Sequence, residues 1–287
     1  MKKIIFRIFL LAACFVGLGY FCEAQTKGFR LQEILSDIPN NPAWDVEPLP
    51  AEQQREVVHK LDQKFRYLGS GNQSHAFLGE DGKTVLKFFR HNDLSLMKIL
   101  NQLSAEKWLW YLTKKFDPRG VFDSCKLAYV DLQDQTAISY LHLNKTGDLF
   151  KPAVLVDNSG VSHTVELDGM EFMVQDYCEL ATGRIAKRMK SGDVEGAKAT
   201  IQSLFAAIED WSKRGVHIEN PALKRNIGFC GDKVIMFDVG SLRKDISTMT
   251  PEQITREVKH VTRALGRWIY KKHPQLSPCF DQELAKS

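Results

Sequence analysis

Tyr67-Leu68-Gly69-Ser70-Gly71-Asn72-Gln73-Ser74-His75-Ala76-Phe77, with Thr84-Val85-Leu86-Lys87 close behind, is the stretch whose residue types can do chemistry. Two nearby glycines let a backbone approach phosphate oxygens, and free N–H groups plus one ammonium are what such oxygens take. Gly69, Gly71, Ser74 and Lys87 are therefore candidate ligands for a nucleotide's phosphates. The same letters also describe a strand that simply ends in a turn, so the assignment depends on what else the chain carries.

A second cluster lies far downstream. His217-Ile218-Glu219-Asn220-Pro221 leads to Asn226-Ile227-Gly228-Phe229, and twelve residues after Asn226 stands Asp238, in Phe237-Asp238-Val239-Gly240. A side-chain amide and a carboxylate are hard oxygen donors, which Mg²⁺ accepts when phosphates and water fill its other positions. The 8 histidines are scattered and no Cys-x-x-Cys occurs, so the chain shows no zinc pattern and any metal is expected on oxygen.

These residues need elements to hold them. Ala51–Gln63 reads as a helix after Pro50, with Val57, Val58 and Leu61 on one side. Strands follow at Phe65–Gly69, His75–Gly79 and Thr84–Phe89, the last two joined by the hairpin signal Asp81-Gly82. Asn92 or Asp93 then caps a long helix to Lys115 whose apolar positions recur at helical spacing. Leu127–Leu132, Ala137–Leu143, Ala153–Val156, Ser162–Leu167 and Glu171–Asp176 read as further strands. After Cys178 the period changes. Asp193–Lys213 repeats Ile201, Leu204, Phe205, Ile208 and Trp211 as a helical stripe, Ile227–Cys230 and Val234–Phe237 form a small hairpin, and Thr250-Pro251-Glu252-Gln253 is a capping box that opens a last helix.

The ends and the composition narrow the class. Met1–Ala24 has a basic start, an apolar run and a small-residue finish, which fits a signal peptide cleaved near Ala24. Leu11-Ala12-Ala13-Cys14 also resembles a lipoprotein box, and an uncleaved anchor would tether the chain. The chain is expected outside the cytoplasm, with no stable membrane span after cleavage. Removing that segment takes the formal charge from +4 to about +2, which does not fit a nucleic-acid binder. Cys125, Cys178, Cys230 and Cys279 then remain and allow two bridges in any of three pairings.

A sheet-rich first half, a helical second half and a glycine turn at the start resemble the protein-kinase-like fold. That resemblance implies an α+β, two-lobed architecture: an antiparallel sheet lobe with one long helix, then a small, mainly helical lobe. The expected organisation is residues 1–24 as leader, 25–64 as N-terminal extension, 65–178 as sheet lobe with a β insertion, and 179–287 as truncated helical lobe. In such proteins the lysine of the third strand pairs with a glutamate of the next helix. Glu106 lies nineteen residues after Lys87 and fits that role. Glu171–Cys178 resembles the strand and hinge beside the adenine, with Asp176 and Cys178 offering backbone groups. Asn226 and Asp238 resemble the two metal ligands. The implied cofactors are ATP and Mg²⁺, held between the lobes.

The chain also departs from that family. Ser74 stands where a third glycine is expected, and Pro221 stands where the proton-accepting aspartate belongs, which leaves Glu219 as the nearest carboxylate for the base. The chain runs from Gly240 almost directly to its last helix, with little room for a peptide-binding segment. Two functions therefore stand side by side: an exported phosphotransferase, or a pseudokinase that uses the fold to bind an unknown protein partner. A β-rich secreted protein held by disulfides is the third possibility, and in it Lys87, Glu106 and Asp238 would not share a site.

Overall fold

The computed structural model describes residues 29–71, 73–91, 118–218, 223–244 and 249–287. The leader, the helix expected from Asn92 to Lys115 with its Glu106, and Glu219 to Pro221 lie outside the described residues. The chain divides into two compact units. The first draws on Met1–Phe116 and His142–Val174, and the second on Asp117–Leu141 and Gln175–Ser287.

The first unit is built on a sheet. Lys64–Ser70 (β1), Ser74–Gly79 (β2) and Thr84–Phe89 (β3) form the antiparallel meander expected from the two turn signals. Asp81 makes the second turn: its Oδ1 accepts the N–H of Lys83 at 2.8 Å and of Thr84 at 2.9 Å, and its Oδ2 accepts the Thr84 hydroxyl at 2.6 Å. Gly82 there takes a φ of +66°, which a side chain resists. Alternate strand residues face opposite sides. Phe65, Phe77 and Phe88 pack on one side, fully buried, where the Phe88 ring lies 6.2 Å from Phe172.

Ile138–His142 (β4), Ala153–Val156 (β5), Ser162–Val165 (β6) and Phe172–Asp176 (β7) complete a seven-stranded sheet in the order β4-β7-β3-β2-β1-β5-β6. The boundary between the units passes through β4 and β7. The sheet is not wholly antiparallel, because β5 pairs parallel with β1. The chain reaches β5 after a long excursion instead of a tight hairpin, and only such a crossover allows parallel pairing. Before the sheet, Ala51–Leu61 (α1) forms as expected. The lead-in itself is docked: Phe29, Ile34 and Trp44 are buried.

In the second unit Pro118–Asp131 (α2) is a helix, which overturns the strand expected over Leu127–Leu132. Val121, Phe122, Cys125, Ala128 and Tyr129 are its buried apolar residues, a helical spacing that a short window from Leu127 cuts in half. Ala181–Lys190 (α3) follows the dipeptide strand Glu179–Leu180 (β8), and Val194–Lys213 (α4) buries the five-residue stripe as expected. Val216–Ile218 (β9), Ile227–Cys230 (β10), Lys233–Met236 (β11) and Leu242–Lys244 (β12) make two small sheets, in which β10 is flanked by β11 and β8, and β9 pairs with β12. Pro251–Lys272 (α5) starts in the expected capping box: the Thr250 N–H donates to Gln253 Oε1 at 2.7 Å, and Thr250 Oγ1 accepts the Gln253 N–H at 3.3 Å. Ser277–Lys286 (α6) ends the chain.

Among the described residues one disulfide is present, joining Cys178 to Cys230 across 52 residues. Cys125 and Cys279 are buried and not joined by a disulfide, so of the two bridges that the four cysteines allow, Cys178–Cys230 is the one formed. Cys125 belongs to the apolar stripe of α2 and Cys279 to the buried side of α6, where each serves as a small apolar filler. Among the described residues no helix is long and apolar enough to cross a membrane.

Candidate functional site

The first unit carries the candidate phosphate ligands. β1 pairs with β2 through Tyr67↔Phe77 and then Gly69↔Ala76, so Leu68 is an extra residue, a β-bulge. That one-residue shift moves Gly69 to the other face. It now opposes Ala76, and Ala76 opposes Lys87 of β3. Gly69, Ala76 and Lys87 thus form one row across three strands, on the side opposite Phe65, Phe77 and Phe88. Gly69 and Ala76 bring minimal side chains to this row, and Lys87 beside them is half-buried.

Neither local packing nor backbone angle calls for the glycines of this turn. A Cβ at Gly69 would meet nothing within 4 Å, a Cβ at Gly71 would meet only the Ser74 carbonyl at 4.0 Å, and neither φ is left-handed. Glycine there keeps the approach to the backbone open. The Gly71 N–H donates to the Ser74 carbonyl at 2.9 Å and closes the turn.

The second unit carries the candidate metal ligands. A single helical turn, Leu223–Asn226, ends where β10 begins, and β10 pairs with β11 in the register Ile227↔Met236. One step further out, the Phe237 N–H donates to the Asn226 carbonyl at 2.6 Å. Asn226 and Asp238 therefore meet at the open end of the hairpin: Asn226 Nδ2 donates to Asp238 Oδ2 at 3.3 Å, and both residues are half-buried. The amide nitrogen, not Oδ1, faces the carboxylate here, so the pair offers a divalent cation its two hard oxygen donors once the amide turns over. Among the described residues no group of three or more His, Cys, Asp or Glu is placed to hold a metal.

The hinge candidates are tied into the second unit. Asp176 is exposed, and its N–H donates to the Ala137 carbonyl at 3.0 Å. Cys178 is bridged to Cys230 at the end of β10, so the stretch after β7 is stapled to the hairpin that leads to Asp238. β8 reinforces this, with Leu180 opposite Gly228. A Cβ on Gly228 would lie 2.0 Å from the Glu179 carbonyl oxygen and 2.6 Å from the Phe237 ring, so only glycine fits. Glu106 and Glu219 lie outside the described residues.

Two residues that the sequence did not single out hold this site. Ser124 of α2 is buried, and its hydroxyl accepts the Leu242 N–H at 2.7 Å and donates to the carbonyl of Val239, the residue after Asp238. Gln175, also buried, donates from Nε2 to the Thr136 carbonyl and to the Met236 carbonyl, the latter at 3.4 Å. The one signal for either was a polar residue inside an apolar pattern: Ser124 between Phe122 and Cys125, Gln175 after Phe172-Met173-Val174.

In the first unit a glycine turn leads to a strand lysine in an antiparallel meander, and in the second an asparagine meets an aspartate across a hairpin. No protein family and no curated protein matches the sequence. Among solved structures the chain is similar to the erythromycin complex of Rv3197 from Mycobacterium tuberculosis, with 14% identity and a TM-score of 0.33 over 98% of this chain and 75% of that one. It is also similar to the streptomycin–ATP–APH(2")-IIa ternary complex, with 14% identity and a TM-score of 0.24 over 81% of this chain and 86% of that one.

Proposed function

We propose that the protein is an exported, protein-kinase-like nucleotide-binding protein that takes ATP with Mg²⁺. The observation that carries this reading is the approach of Asn226 to Asp238, twelve residues apart in sequence and 3.3 Å apart in space. The row of Gly69, Ala76 and Lys87 supports the phosphate half. Lys87 holds phosphate oxygens with its ammonium, the bare backbone at Gly69 lets them approach, and Asn226 Oδ1 with the Asp238 carboxylate holds the cation. When bound, Mg²⁺ neutralises charge on the phosphate oxygens. The Cys178–Cys230 bridge supports an oxidising compartment and hence export.

Pro221 favours a second reading. A proline stands where the proton acceptor belongs, so the nearest carboxylate is Glu219, and a nucleotide-binding pseudokinase with a protein partner fits the same residues. Thermal unfolding with ATP and Mg²⁺ tests the first claim. At about 100 times the dissociation constant the ligand adds about 2.7 kcal/mol of stability, and Lys87→Ala and Asp238→Asn should lose that gain. No shift in the wild type overturns the nucleotide reading. Release of γ-phosphate by the wild type but not by Glu219→Gln selects the transferase, and a shift without release selects the pseudokinase.

A further inference from the structure

The glycine turn does not stand on the sheet alone. Phe29 packs its ring 5.5 Å from Tyr67, 5.2 Å from His75 and 5.2 Å from Phe77, beneath the two strands that flank the turn. The next residues fold into a 3₁₀ turn, Leu31–Glu33, and Ile34 is fully buried behind it. That turn aims Glu33 inward. Its Oε2 lies 2.8 Å from His75 Nε2 and 2.8 Å from Arg90 Nε, and its Oε1 accepts from Arg90 Nη2 at 3.1 Å, a two-toothed guanidinium–carboxylate pair. The Glu33 carbonyl accepts the His91 N–H at 2.6 Å, and Ser36 Oγ donates to Glu171 Oε1 at 2.9 Å, so the segment is fastened at both ends.

Both partners of Glu33 border the turn. His75 directly follows Ser74, whose carbonyl closes the turn by accepting the Gly71 N–H. The Arg90 N–H donates to the Gln73 carbonyl at 2.8 Å from the opposite strand. His75 is fully buried, and among the described residues its Nδ1 has no hydrogen-bond partner, so the polar tie of the ring is the one Glu33 makes by accepting from Nε2. The Glu33 carboxylate is half-buried, set between the fully buried His75 imidazole and a partly exposed guanidinium. What the polar cluster adds is a fixed geometry at the two ends of one short loop.

We propose that the N-terminal segment Phe29–Ser36 is an intramolecular strut for the glycine turn, with Glu33 as its positioning residue. The proposal rests on reading that turn as the phosphate-holding loop. Any event that lifts the segment withdraws Glu33 from His75 and Arg90 together and lets the turn spread.

Hydrogen exchange on the whole chain, without nucleotide, tests the strut. In Glu33→Gln the amides of Gly71 and Arg90 should exchange on the order of tenfold faster while α4 and α5 keep their wild-type protection, and affinity for ATP with Mg²⁺ should fall by about the same factor. If Glu33→Gln does not fold, Phe29→Leu loosens the same segment without touching its charge and should produce the same local change in smaller measure. Wild-type exchange at Gly71 and Arg90 in a folded variant, or faster exchange spread evenly through both units, overturns the proposal. If the wild type binds no nucleotide, the exchange result still decides the strut, and only the phosphate reading falls.

Discussion

The hydroxyl of Ser124 accepts the Leu242 N–H at 2.7 Å, across 118 residues of sequence and inside the core of the second unit. The same oxygen donates to the Val239 carbonyl. One side chain on α2 therefore fixes both ends of the short loop that follows Asp238. Ser124→Ala leaves the Leu242 N–H buried without its partner, a loss of about 1–3 kcal/mol. A lower melting temperature, together with a higher Mg²⁺ requirement for nucleotide binding, is the expected outcome. Unchanged melting would mean that the loop holds itself.

The single disulfide should carry a large share of the stability. Closing 52 residues with Cys178–Cys230 removes chain entropy from the unfolded state worth about 4 kcal/mol. Replacing both cysteines by serine should lower the unfolding midpoint by that measure, and reductant should do the same to the wild type but not to the variant. A reductant-insensitive wild type would refute the bridge.

Gly228→Ala should be among the most damaging small substitutions. Its methyl would fall 2.0 Å from the backbone oxygen of Glu179, which has no rotamer by which to retreat, so β10 and β8 must separate. A cost at or above about 3 kcal/mol is expected. Denaturant unfolding of this variant beside Gly69→Ala, where the added methyl meets only open space, gives the comparison: the second substitution should leave stability unchanged while impairing nucleotide binding.

Acid should destabilise the fold first through a buried histidine and then through carboxylates. His142 is buried, with Nδ1 donating to the Met170 carbonyl at 2.7 Å, and burial lowers its pKa from the ordinary 6.5. The unfolded chain therefore takes up that proton first, and stability falls as pH drops below 6.5 toward the folded value. For Glu33, burial raises the pKa, but the hydrogen bonds from His75 and Arg90 and the guanidinium charge outweigh it, so the pKa ends below 4.5. For Asp81, burial also works upward, yet the hydrogen bonds from the Thr84 hydroxyl, the Lys83 and Thr84 N–H groups and the Gln63 amide pull it down to about 2. Both carboxylates contribute stability that is full above their unfolded values and is lost as pH falls through the folded ones. Melting temperature followed from pH 8 downward should decline first through the histidine and then through the carboxylates, and Glu33→Gln should shrink the carboxylate decline and leave the histidine one in place.

Much of the fold was legible because its signals are local. Asp81-Gly82 specifies a turn through the side-chain bonds of Asp81 and the backbone freedom of Gly82, and Thr250 with Gln253 caps a helix through contacts three residues apart. The stripe Ile201, Leu204, Phe205, Ile208 and Trp211 needs only helical period and apolarity. Leu127–Leu132 was misread because six residues carry less than two helical turns, while the stripe that defines α2 starts at Val121. Helices α3 and α6 were not foreseen: α3 is rich in charge, and α6 follows the preceding helix after only a short 3₁₀ turn.

By itself the sequence determined which atoms are available: an ammonium at Lys87, bare backbone at Gly69 and Gly71, hard oxygens at Asn226 and Asp238, and a hairpin to carry the last two. Spacing alone brought out the order of these parts. Only the tertiary structure decided that Leu68 is a bulge and so turns Gly69 to the side of Lys87, that Cys178 bonds Cys230, and that Ser124 and Glu33 each brace a loop far from their own place in the chain. Such decisions depend on which strands become neighbours and on which buried polar atom finds which partner, and a pattern confined to near neighbours in sequence does not contain that information.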